Sequence, residues 1–181
     1  MSTVTFKGGA CNLGGTALKV GDAAPKVTLV NAKDLADKVV GGASNGVQLI
    51  IAVPSLDTPV CATETRRFNQ EAARLEGIEV TVVSMDLPFA ASRFCSAEGI
   101  DKLTVASDFR NKAFAAAYGV LLADGPLAGL TARAIFVVKK NGTLAYKQIV
   151  PEITSEPDYA AALAAAKDAA FSGSKCCGSC A

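Results

Sequence analysis

The sequence predicts a single α/β domain over residues 1–171, followed by a cysteine-rich tail at residues 172–181. Three observations predict it. Val47-Gln-Leu-Ile-Ile-Ala-Val53 is a short apolar run rich in β-branched residues, which reads as a strand buried on both faces. Similar runs alternate along the chain with stretches of helical periodicity, the pattern of a sheet covered by helices. Near the C-terminal end, Asn141-Gly142 joins two further apolar runs, and Asn-Gly suits the type I′ turn of a hairpin.

The elements follow in order. Val4-Thr-Phe6 and Thr16–Val20 flank a Gly/Asn-rich break and suggest an N-terminal hairpin, with Cys11 in the turn as an incidental surface residue. Val27–Val30 reads as a short strand. Residues 31–46, with Gly41-Gly42 and Asn45-Gly46, read as loop and turn. After the central strand, Val60, Phe68, Ala72 and Leu75 recur at helical spacing, so a helix containing Cys61 in its first turn runs to about Glu76, before Gly77. Glu79–Asp86 is a second core strand. Pro88 suits the first turn of the next helix, which carries Cys95 and ends at Gly99. Leu103–Ser107 is a strand, Arg110–Tyr118 a short helix, and residues 121–132 a loop. Ala134–Val138 and Thr143–Val150 form the Asn-Gly hairpin, and Pro157 opens a last alanine-rich helix to about Phe171. Strand, helix, strand, helix, hairpin and terminal helix fit a thioredoxin-like α/β domain with an N-terminal hairpin extension.

Composition narrows the chemistry. The 181 residues include no histidine, which excludes Ser-His-Asp and Cys-His catalysis, a His-ligated haem and the usual His-containing zinc sites. A formal net charge of +1 argues against nucleic acid or an anionic membrane as the main partner. No run of about 18 apolar residues occurs, and the N-terminal stretch lacks the apolar core of a signal peptide. A cytoplasmic protein is expected. Six unevenly spaced cysteines suit catalytic, redox or metal-binding work better than a disulfide scaffold.

Cys61 stands out by position. It lies where a helix springs from the end of a central strand, among unpaired N–H groups and at the positive end of the helix dipole. Both favour a thiolate, the nucleophilic form of cysteine. The competing reading is a small buried hydrophobe. With no histidine available, activation falls to backbone, hydroxyl or guanidinium, and Thr58 places a hydroxyl just upstream.

Three blocks carry a family resemblance. Pro54-Ser-Leu-Asp-Thr58-Pro-Val-Cys61 resembles the Pro-x-x-x-Thr-x-x-Cys loop of peroxiredoxins, and in its fuller form that of the thiol peroxidase subfamily. Ser92-Arg-Phe-Cys95-Ser-Ala-Glu-Gly99 resembles that subfamily's resolving-cysteine segment. Leu130-Thr-Ala-Arg133-Ala-Ile-Phe-Val137 resembles the strand with its active-site arginine. The resemblance implies a peroxiredoxin-type thioredoxin fold and a peroxidase that needs no cofactor. Cys61 would attack hydrogen peroxide or an organic hydroperoxide to form a sulfenic acid, and Cys95 would resolve it as a Cys61–Cys95 disulfide after local unwinding. Thioredoxin would reduce that disulfide. Thr58 would hydrogen-bond the thiolate and orient the peroxide. Arg133 would stabilise thiolate and developing alkoxide, and Pro54 would shape the loop. Alone, Arg133 reads as a strand-end arginine paired with an acid, and Cys95 as a core residue beside Phe94. The subfamily also implies a homodimer, which nothing in the charge pattern indicates.

The tail departs from the pattern. Cys176, Cys177 and Cys180 include a Cys-x-x-Cys spacing that serves redox pairs and metal clamps alike. A metal site, completed by Cys11 or a second chain, a redox relay and an inert flexible tail all remain open readings. The alternative function is therefore a thioredoxin-fold redox sensor or metal-handling protein acting through these cysteines.

Overall fold

The computed structural model describes residues 2–172. Its elements are β1 (Thr3–Phe6), β2 (Gly9–Gly14), β3 (Val27–Asn31), β4 (Asp37–Val40), β5 (Val47–Ala52), α1 (Pro59–Ala72), β6 (Ile78–Ser84), α2 (Pro88–Glu98), β7 (Thr104–Ser107), α3 (Ala113–Ala117), β8 (Leu121–Leu122), β9 (Ala134–Val138), β10 (Leu144–Ile149) and α4 (Tyr159–Ser172). A seven-stranded sheet has the order β10-β9-β5-β6-β7-β3-β4, and β1, β2 and β8 form a smaller three-stranded sheet. Strand β5 is central, parallel to β6 and antiparallel to β9.

Strand β5 also divides the core. All six of its residues are buried, and alternation sends Ile50 and Ala52 to one face, Val47, Leu49 and Ile51 to the other. Phe114 and Tyr118, from α3 and its C-cap, fill the first face together with the small sheet. Against the second pack Phe68 of α1, Ala91 of α2, and Tyr159, Ala162 and Ala166 of α4. A strand covered on both sides needs a continuous apolar run, which the sequence supplies.

Several expectations need correction. The N-terminal hairpin pairs β1 with Gly9–Gly14 instead of Thr16–Val20. Its two-residue turn, Lys7-Gly8, has φ of 51° and 81°, as a type I′ turn requires. Cys11 therefore lies within β2, opposite Val4 and 1% exposed, and is not a surface turn residue. Strands β4 and β8 occupy stretches expected to be loop. Strand β4 is a short edge strand with one fully buried residue, and β8 is two residues long, so neither leaves an apolar run to read. Helix α1 ends at Ala72, short of Glu76. Helix α3 begins at Ala113, not Arg110, because Lys112 adopts φ 54° and the Asp108 carboxylate accepts the N–H groups of Phe114 and Ala115. Helix α4 includes Ser172, the first residue assigned to the tail, while Cys176, Cys177 and Cys180 lie outside the described residues. No helix among the described residues is long and apolar enough to cross a membrane.

Candidate active site

The site forms where β5 stops. Pro54 is buried at the strand's exit, and the chain turns through Ser55, Leu56 and Asp57 to Thr58, the N-cap of α1. Pro59 takes the first helical position, where its missing N–H costs nothing. Cys61 is the third residue of α1 and is 0% exposed. Helix terminus and sulfur thus meet as the sequence predicts.

Strand pairing brings in Arg133. Strand β9 runs antiparallel to β5 with Ala134 opposite Ala52, so the residue before β9 lies beside the exit of β5. The Thr131 hydroxyl fastens this approach by donating to the Val53 carbonyl at 2.7 Å. Arg133 is 1% exposed, and each of its three nitrogens has a partner. Nη2 donates to Cys61 Sγ at 3.3 Å, Nε donates to the Ile153 carbonyl at 3.0 Å, and Nη1 donates to Glu64 Oε2. The two sequence readings of Arg133, a partner of an acid and a partner of Cys61, are thus both realised.

Glu64 completes a buried row of sulfur, guanidinium and carboxylate. Burial pushes its carboxyl up to about 7, although the Arg133 charge and hydrogen bond pull downward. Burial disfavours the charge on Arg133 too, but Glu64 and Cys61 outweigh it and hold the guanidinium above its ordinary value. Glu64 Oε1 has no hydrogen-bond partner among the described residues. Sequence reasoning missed Glu64. Its signal was spacing: three residues after Cys61 places it on the same helix face.

Thr58 is exposed, and its hydroxyl does not donate to the sulfur. It donates to the Ser55 carbonyl at 3.0 Å, which leaves its oxygen free to accept. Asp86, also missed, holds the loop: its carboxylate accepts the Ser55 hydroxyl and the Leu56 N–H, both at 2.7 Å.

Cys95 lies on α2, half-buried, and lines a groove of about 660 Å³ with Ser92, Ser96 and Lys102. Among the described residues, Cys61 and Cys95 form no disulfide. Their settings differ. Burial pushes the Cys95 thiol up, against a weaker backbone hydrogen bond, whereas Cys61 has a guanidinium donor on its sulfur. Cys11 is buried beneath Gly125 in the other core. Among the described residues, no three His, Cys, Asp or Glu side chains are grouped to hold a metal ion.

Known proteins share this arrangement of sequence and fold. The sequence pattern of the Redoxin family matches residues 19–163. A thiol peroxidase of Aquifex aeolicus is 57% identical over 157 residues, covering 87% of this chain and 92% of that protein. A thiol peroxidase of Campylobacter jejuni is 56% identical over 180 residues, covering 99% and 98%. Among solved structures, a peroxiredoxin-like protein from Aquifex aeolicus aligns with a TM-score of 0.90 at 53% identity, covering 93% of this chain and 98% of that one. A thiol peroxidase from Chromobacterium violaceum, 21% identical, shares the fold with a TM-score of 0.82. The domain has the thioredoxin-like fold of peroxiredoxins, and the chain belongs to the Redoxin family, among its thiol peroxidases.

Proposed function

We propose that this thiol peroxidase reduces hydrogen peroxide and organic hydroperoxides through Cys61, with Cys95 as resolving cysteine and thioredoxin as reductant. The observation that carries the reading is the Arg133 guanidinium, 3.3 Å from a buried sulfur at a helix N-terminus. In the first step the Cys61 thiolate attacks the terminal oxygen of ROOH. An S–O bond forms, the O–O bond breaks, and the sulfenic acid keeps the peroxide's proton. The departing alkoxide takes a proton from water to become ROH, or water when R is hydrogen. Arg133 stabilises negative charge on sulfur and then on the leaving oxygen. The Thr58 oxygen, its own proton committed to Ser55, accepts the peroxide O–H and orients it. Pro54 keeps the loop closed over the sulfur.

Cys95 then attacks the sulfenic sulfur, expels water and forms the Cys61–Cys95 disulfide. The thioredoxin dithiol returns both cysteines to thiols. A cytoplasmic location belongs to this reading, because the cycle depends on a reducing compartment. So does a homodimer. Leu87, Phe89 and Phe109 are exposed at the ends of neighbouring strands, beside the site, and a second copy would cover them. A redox sensor or metal-handling protein acting through the tail is not favoured, since relatives matching 87% or more of the chain are named thiol peroxidases.

Peptide mass spectrometry after one equivalent of hydroperoxide, with and without thioredoxin, tests the reading. A Cys61–Cys95 disulfide that thioredoxin removes is expected, with Cys61→Ser inactive and Cys95→Ser halted at the sulfenic acid. Disulfides among Cys176, Cys177 and Cys180 with Cys61 untouched would overturn it.

A further inference from the structure

We propose that Asp86 is a positioning residue for the peroxide step, acting through Ser55 on Thr58; this rests on the role of Cys61 proposed above. Asp86 lies just after β6 and two residues before α2, yet its carboxylate serves a different segment. One oxygen accepts the Ser55 hydroxyl at 2.7 Å and the other the Leu56 N–H at 2.7 Å. The same Ser55 hydroxyl accepts the Asp57 N–H at 3.3 Å. The Ser55 carbonyl accepts both the Thr58 N–H, at 3.2 Å, and the Thr58 hydroxyl, at 3.0 Å. Thr58 in turn gives its carbonyl to the Ala62 N–H at 2.9 Å, in the first turn that holds Cys61. Orientation of the exposed Thr58 hydroxyl therefore depends on Ser55, and Ser55 depends on Asp86.

The anchor is fixed at its other end. The Asp86 N–H donates to the Ser84 hydroxyl at 3.3 Å, and its carbonyl accepts the Ser107 hydroxyl. Ser84 and Ser107 close β6 and β7 and are buried. An ionised acceptor taking two short bonds from a loop is about twice as strong a tether as a neutral one. Among the described residues, the loop between β5 and α1 thus has the Asp86 carboxylate as its charged tie to the sheet end. Displacement of a reacting group by about 1 Å is enough to cost about a hundredfold in rate, so this tie is where the orientation of the Thr58 hydroxyl is set.

The test separates the two chemical steps by rapid mixing with hydrogen peroxide, following Cys61 oxidation and then disulfide formation. Asp86→Ala is expected to lower the rate constant of Cys61 oxidation at least tenfold and to change disulfide formation less than threefold. Asp86→Asn, whose carbonyl oxygen still accepts Leu56 N–H but whose amide cannot accept the Ser55 hydroxyl, is expected to lose less than Asp86→Ala and about as much as Ser55→Ala. In a Thr58→Val background, Asp86→Ala is expected to add less than a twofold loss, because its effect passes through Thr58. Ser55→Ala, which keeps the Leu56 bond, is expected to lose an intermediate amount and stands in if Asp86→Ala fails to fold. Wild-type Cys61 oxidation in folded Asp86→Ala or Ser55→Ala, or losses that multiply with Thr58→Val, would overturn the proposal. Absence of Cys61 oxidation in the wild type would instead overturn the peroxidase reading of Cys61.

Discussion

At the scale of single residues, the site is a buried charge problem. Cys61, Arg133 and Glu64 are each 1% exposed or less, so none of their charges is softened by water. The charge state of Glu64 is then a stability variable. Its carboxyl rises from an ordinary 4.5 to about 7 on folding, so between those values the folded chain holds a proton that the unfolded chain has lost. Stability from this group is fully present below about pH 4.5 and declines as pH rises through about 7, by about 3 kcal/mol in all. Glu64→Gln has no such slope. Relative to wild type, its melting temperature is expected to climb from pH 4.5 to 7 and to level off above. A difference that stays constant across thermal melts from pH 4 to 8 would remove Glu64 as the titrating group. Pro54, Thr58, Cys61 and Arg133 stand out in the sequence because their residue types recur in short motifs, and the catalytic roles given to them belong to the proposal above. Glu64 and Asp86 do not stand out: Glu64 offers only its spacing from Cys61, and the ties of Asp86 to Ser55 and Leu56 arise only when β6 is laid beside β5.

At the scale of elements, legibility followed the length and burial of each apolar run. Strands β5, β6 and β9 are uniformly or largely buried and were evident. Strand β2 has only Cys11 and Leu13 buried and is bounded by glycines, so it reads as a turn, and both the partner of β1 and the burial of Cys11 were misread. The Lys7-Gly8 turn that corrects this reading is fastened from far along the chain. Glu152 accepts the Lys7 and Gly8 N–H groups at 3.1 and 3.2 Å, together with the hydroxyls of Thr5 and Thr154 at 2.7 Å. Hydrogen bonds from Thr154 and Thr5 hold its carboxyl down at about 2. A depressed acid stabilises above its unfolded value, so the clamp is intact above about pH 4.5 and is lost as pH falls through about 2. Glu152→Gln is expected to speed amide hydrogen exchange at Lys7, Gly8 and the β1–β2 ladder at neutral pH, severalfold, with exchange in β5 unchanged. Equal protection of the hairpin in both proteins would show that the β2–β8 pairing and the backbone bonds of Thr5 to Pro151 and Ile153 hold it without the carboxylate.

At the scale of the whole molecule, the sheet's two covered faces narrow where the proposed second copy would bind. Helices α1, α2 and α4 close one face, and α3 with the small sheet closes the other. The general architecture was legible because alternating strands and helices admit few arrangements. The exposed apolar residues were not, because exposure is a property of the packed chain. Leu87, Phe89 and Phe109 are 55%, 72% and 38% exposed, around the turns that follow β6 and β7. Parallel pairing of those strands, with Ser84 opposite Ser107, places the turns side by side at the edge from which the Cys61 loop also leaves. Burying Phe89 in a dimer would remove apolar surface worth about 2 kcal/mol per copy. An aspartate there would instead bury an unpaired charge. Phe89→Asp is therefore expected to weaken self-association at least a hundredfold in sedimentation equilibrium while leaving the monomer's circular dichroism unchanged. It is also expected to slow Cys61 oxidation, because Phe89 lies three residues after Asp86, whose carboxylate holds the loop before α1. A Phe89→Asp protein that self-associates like wild type would place the dimer contact elsewhere. A monomeric variant with full peroxide reactivity would show that the loop needs no partner to hold its shape.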